Sequence, residues 1–116
     1  MTENLSYAAL AEFLSKRPFS VIHIDADWDM YRLGIARKIH SLESESREEV
    51  SFAYVDCDRE QELALKIGVQ NLPTVAYYRG DSLAARVIGV KQDVAENIKR
   101  LKRGEALDAT NSLSRG

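Results

Sequence analysis

A single cysteine among 116 residues excludes a disulfide within the chain, so nothing here points to an oxidising compartment or a disulfide-held fold. No apolar run approaches the roughly 18 residues of a membrane span. The opening Met1-Thr-Glu-Asn-Leu-Ser6 lacks the basic stretch and apolar segment of a secretory signal. The expected location is therefore cytoplasmic, with no membrane partner. A net charge of −2 gives no case for nucleic-acid binding. His23 and His40 stand at no metal-pair spacing, so no metal is expected, and no cofactor is implied. No internal repeat is visible.

What is present suits one globular domain: 45% hydrophobic and 29% charged residues in a chain long enough for a single core. Charge is uneven along it, with the first half net acidic and the second net basic. Much of the positive excess lies in Lys91–Arg103, interspersed with apolar positions, and reads as a solvated helix face.

Periodicity divides the chain into alternating elements. Asn4 or Ser6 can cap a first helix, with Leu5, Ala8, Ala9, Phe13 and Leu14 approximating an apolar stripe that ends before Pro18. Phe19–Asp25 is a near-continuous apolar strand interrupted only by His23, as expected of a strand covered on both faces. Arg32–Ser44 is a second helix with Leu33, Ile35, Ala36, Ile39 and Leu42 apolar, although Gly34 costs it about 1 kcal/mol relative to Ala. A polar connection over Glu43–Glu49 leads to a strand at Val50–Asp56 and a helix at Arg59–Ile67, which Gly68 is placed to stop. Thr74–Tyr78 and Ala84–Ile88 form a hairpin across Arg79-Gly80-Asp81-Ser82. Lys91–Arg103 is the last helix, and beyond Gly104 no periodicity survives. The domain is expected over residues 1–104, with 105–116 a disordered C-terminal tail.

Two segments carry a resemblance. One is Val21-Ile-His-Ile-Asp-Ala-Asp-Trp-Asp-Met-Tyr-Arg32, a buried strand running through a Trp into a helix. The other runs from Val55 through Gly68-Val-Gln-Asn-Leu-Pro-Thr-Val75 to Gly80, with Gly89 following after the next strand. In order and spacing these are similar to the thioredoxin family, over about Leu5 to Arg103. The resemblance implies an α/β thioredoxin fold: a mixed four-stranded sheet, β-α-β then β-β-α with an extra N-terminal helix, flanked by helices on both faces. The family's usual first strand has no visible counterpart. Pro73 matches the family's cis-proline, beside which a substrate peptide pairs like an added strand.

The resemblance also exposes a loss. Where the family has Cys-x-x-Cys after the Trp, this chain has Asp29-Met30-Tyr31-Arg32. A carboxylate can cap the helix that begins there but cannot attack a disulfide, and Arg32 stands in place of the resolving cysteine. His23 matches a buried Asp that serves that cysteine in the family; without it, a hydrogen-bonded core histidine is the expectation. Cys57, flanked by Asp56 and Asp58, has surroundings that raise a thiol pKa. The resemblance implies a groove formed by Trp28, Asp29, Met30, Tyr31, Arg32, Leu72, Pro73, Gly89 and Val90.

The expected function is therefore a non-catalytic, chaperone-like module that binds a protein or extended peptide in this groove. An alternative is a single-thiol oxidoreductase using Cys57 with glutathione. A minor alternative takes Asp25-Ala26-Asp27 as the Asp-x-Asp of haloacid-dehalogenase-type phosphatases, but Asp29 stands where that family wants Thr or Val. An EF-hand starting at Asp25 fails because Met30 and Ala36 occupy the Gly and Glu positions. No oligomeric state is implied.

Overall fold

The two isoleucines of the first long strand, Ile22 and Ile24, turn one way and Val21 turns the other, and this alternation organises both halves of the core. The computed structural model describes residues 3–46 and 48–107. Its elements are β1 (Glu3–Asn4), α1 (Leu10–Ser15), β2 (Phe19–Asp25), α2 (Arg32–Ser46), β3 (Val50–Asp56), α3 (Gln61–Ile67), β4 (Thr74–Arg79), β5 (Ser82–Ile88) and α4 (Val94–Lys102). The sheet order is β1-β3-β2-β4-β5. β1 and β2 run parallel to β3, while β4 is antiparallel to both β2 and β5.

Ile22 and Ile24 pack with Phe13 and Leu14 of α1 and Leu63 and Ile67 of α3. Val21 faces Ile35 and Ile39 of α2 and Val94, Ile98 and Leu101 of α4. β2 is thus sandwiched between helices and paired along both edges, which is why every residue of it after Phe19 is buried.

The sheet has five strands, not four. The first escapes a periodicity argument because two residues establish no period. It is real pairing nonetheless: Glu3 and Asn4 lie opposite Ala53 and Tyr54, and Leu5 N–H donates to Tyr54 C=O at 2.9 Å. This also displaces the first helix. Asn4 belongs to the strand, Ser6 accepts a turn bond from Ala9 N–H, and α1 begins at Leu10 without a side-chain cap. Elsewhere the shifts are small. α2 runs on to Ser46, α3 starts at Gln61, and α4 starts only at Val94, where Asp93 accepts from Glu96 N–H at 3.0 Å. Gly68 closes α3 with φ 90°, a left-handed conformation that favours glycine. Beyond Gly104, Arg79 donates to the Glu105 carbonyl at 2.7 Å and Leu107 packs on the α2/α4 side of the core. The rest of the expected tail, 108–116, lies outside the described residues.

A buried polar network ties β4 to the loop before α4. Tyr77 OH donates to Gln92 Oε1 at 2.8 Å and accepts from Asn97 at 3.2 Å, while Gln92 Nε2 reaches the carbonyls of Val87 and Gly89. Tyr77→Phe leaves a buried amide oxygen without its donor, and its expected cost is about 1–3 kcal/mol, read from urea unfolding. An unchanged midpoint would show that the network does not hold the loop.

Candidate functional site

β2 ends at Asp25, and the chain then winds through a turn into α2. Asp29 N–H donates to Ala26 C=O at 3.1 Å, and Arg32 N–H to Asp29 C=O at 3.2 Å. Asp29 Oδ1 accepts from Tyr31 N–H at 3.0 Å, placing a carboxylate at the positive end of the helix. The turn leaves its large side chains outside: Trp28 is 71%, Met30 80% and Tyr31 59% exposed. Trp28 is nevertheless held, since its indole N–H donates to Asp58 Oδ2 at 2.8 Å.

Two further segments complete the surface. The Leu72–Pro73 peptide is cis. Pro73 C=O accepts from Gly89 N–H at 3.0 Å, joining the β4 entry to the β5 exit. Val90 then comes down on α2. A Cβ on Gly34 would lie 2.8 Å from Val90 Cγ2, so the glycine that weakens the helix is what admits this contact. Lys38 fastens the same loop by donating to the carbonyls of Val90 at 2.9 Å and Gln92 at 2.7 Å.

The structure therefore brings together the α2 start, Pro73 and Gly89–Val90. The remaining expected residues sort differently. Pro73 is buried, so it contributes backbone rather than side-chain surface. Leu72 lines a separate cleft of about 390 Å³ with Cys57, Leu65 and Val69. Arg32 lines a polar hollow of about 370 Å³ with Asp27, Tyr54, Asp56 and Arg59. Among the described residues, no group of three or more His, Cys, Asp or Glu could hold a metal ion.

Beneath the turn lies a cluster that the sequence does not announce. His23 and Asp25 are both buried, with Nε2 to Oδ2 at 3.1 Å, and Asp25 Oδ1 accepts from Ala26 N–H at 2.9 Å. His23 also meets Tyr54 edge-on at 5.2 Å. Burial pushes the Asp25 pKa up, and the Asp29 carboxyl beside it pushes it the same way. The hydrogen bond with Asp25 holds Asp29 below its ordinary value, helped by Tyr31 N–H. Asp29 Oδ2 is itself buried with no hydrogen-bond partner among the described residues. Asp25 and Asp27 do not converge: the first is sealed in this cluster and the second is exposed, so the Asp-x-Asp geometry is lacking.

Leu33 is the other surprise. Expected on the apolar face of α2, it is instead exposed beside the aromatics. The signal for this exists in the spacing. Ile35 and Ile39 are buried and four residues apart, and Leu33, two residues from Ile35, falls on the opposite side of the helix. Cys57 is partly buried, and desolvation followed by Asp58 and Asp56 raises its thiol pKa, the reverse of activation.

The family model described as Thioredoxin matches residues 2–100. The chain belongs to the thioredoxin family. A curated relative, thioredoxin-like protein CXXS1 of Oryza sativa subsp. japonica, is 29% identical over 73 residues, 63% of this chain and 54% of the relative. The chain therefore spans about half the length of that relative. Among solved structures, a mutant thioredoxin of Halobacterium salinarum NRC-1 superposes with a TM-score of 0.78 at 20% identity, covering 91% of each chain. Fasciola hepatica thioredoxin gives 0.73 at 26% identity, over 89% of this chain and 98% of its own. Within this thioredoxin frame, Asp29 and Arg32 occupy the positions after the Trp, and Cys57 stands apart at the end of β3. Among the described residues no helix is long and apolar enough to cross a membrane.

Two outcomes follow from this geometry. In an open helix Gly→Ala stabilises by up to about 1 kcal/mol. Gly34→Ala is expected to yield none of that against Val90 and to recover it in a Val90→Ala background; a full gain in the parent would show that the contact is loose. Asp25 has a raised folded pKa, so it binds its proton more tightly when folded, and its contribution to stability falls as pH rises above 3.8. Asp25→Asn mimics the protonated form. It should match the parent below that pH and become progressively more stable than it toward neutrality, and a pH-independent difference in urea midpoints would refute the assignment.

Proposed function

We propose that this chain is a non-catalytic thioredoxin-family module that binds an extended peptide or unfolded protein segment across the surface beside Pro73. The observation that carries this reading is the exposure of Trp28, Met30 and Tyr31 on the turn and of Leu33 in the first turn of α2, where Asp29 and Arg32 stand in place of the expected thiols. Scattered surface apolar residues need no explanation, but four large ones within the stretch 28–33, with Trp28 held by a hydrogen bond, do. Peptide recognition by an extended strand depends on backbone edges and neighbouring apolar pockets, neither of which requires sulfur.

The single-thiol reading has less behind it. Cys57 is partly accessible, but burial and two flanking carboxylates keep it protonated, and the same charges repel anionic glutathione. Disulfide turnover on insulin and on a glutathione mixed disulfide is expected to be absent in both the parent and Cys57→Ser. Turnover that disappears in Cys57→Ser would make the protein an oxidoreductase and overturn the proposal. On an array of degenerate decapeptides, Trp28→Ala is expected to lower affinity by about 2 kcal/mol, or roughly 30-fold. Equal signals for parent and variant would remove Trp28 from the binding surface.

A further inference from the structure

The occupant of this surface has a charge preference, and the following rests on the peptide-binding reading above. Trp28 is pinned by the edge of its indole to Asp58, which leaves most of the ring open to solvent. An aromatic face with a carboxylate at its rim attracts a cation in two ways, through the ring quadrupole and through the full charge. Asp27, next to Trp28 in the chain, is exposed and accepts from Tyr54 OH at 3.4 Å. In the adjoining hollow the cations do not reverse this balance. Arg59 is drawn to Asp56 at 3.7 Å, and Arg32 is the other guanidinium there, against Asp27, Asp56 and Glu60. The opposite wall is mixed in sign. Lys91 follows Val90 and is exposed, and Lys38 is committed to the carbonyls of Val90 and Gln92. Asp93 beyond Lys91 is exposed too, so the clear charge excess of the surface is the acidic one on the Trp28 side.

We propose that the segment bound here places a lysine or arginine over Trp28, between Asp27 and Asp58, and lays apolar side chains on Met30, Tyr31 and Leu33. An acidic residue at the same place would meet the Asp27 and Asp58 carboxylates, so discrimination works by repulsion as well as attraction.

The test is a degenerate decapeptide array with one position fixed in turn as Lys, Arg, Gln, Glu or Asp, probed with the full chain. Lys- and Arg-fixed spots are expected to exceed Glu- and Asp-fixed spots by about fivefold or more at about 0.05 M salt, and to approach them at about 0.5 M, where the screening length shrinks to a few ångströms. Asp27→Asn combined with Asp58→Asn should level the Lys, Gln and Glu signals. Should that variant fail to fold, the salt dependence of the parent decides alone. Binding that is indifferent to charge, or favours acidic spots, overturns this inference and leaves the peptide-binding reading intact. No binding to any spot at either salt removes the peptide-binding reading, and this one with it.

Discussion

β2 is enclosed on every side, paired to β3 and β4 along its edges and covered by helices above and below, so its exit from the sheet has almost no freedom. Everything at the candidate site inherits that rigidity. Asp25, the last residue of the strand, is fixed by His23, by Ala26 N–H and by its own C=O, which accepts from Cys57 N–H at 2.9 Å. The turn that follows can only lead upward into α2, and the helix is set in place from its other side by Val90 lying in the space above Gly34. Trp28 projects because the backbone beneath it is committed, not because the loop is loose.

Exchanging thiols for a carboxylate and a guanidinium changes what the turn does without disturbing how it folds. A helix start favours any anion, thiolate or carboxylate, so Asp29 retains the electrostatic match while losing nucleophilicity toward sulfur. Burial raises the Asp25 pKa while the hydrogen bond with Asp25 lowers that of Asp29, so the two pKa values are pushed apart. This division is the pattern that distinguishes acid from base in a catalytic pair. Here Asp25 is sealed from solvent and tied to His23 and Ala26 N–H beneath the turn.

The sequence makes some of this legible and some not. β2 and β3 can be read to the residue, because long apolar runs bounded by charge leave little choice of register. Gly68 as a helix stop is equally clear, since a single residue type and a single backbone conformation go together. β1 is invisible because two residues carry no pattern, and its existence depends on Tyr54 some fifty positions away. The Trp28–Asp58 bond is hidden for the same reason, being set by how two strand exits meet rather than by any local spacing. Asp25 illustrates a subtler limit. Its place in phase with His23 is available from strand alternation, but its closeness to Asp29 depends on the turn. Leu33, by contrast, is recoverable from helical geometry alone.

The absence of a thiol at the turn also constrains how such a surface can hold a partner. A dithiol enzyme captures its substrate through a transient covalent bond, which fixes the geometry whatever the strength of the surrounding contacts. With Asp29 in that place, the proposed peptide binding would depend on non-covalent contact alone. The exposed apolar surface is built from a few side chains around one turn and the start of α2. On the proposed reading so few anchors suit an extended segment, since a folded partner would need further surface to offset the freedom it loses. Trp28, rigid, broad and anchored at one edge, is the residue best suited to dominate such a contact, because little of its conformational freedom remains to be lost on binding.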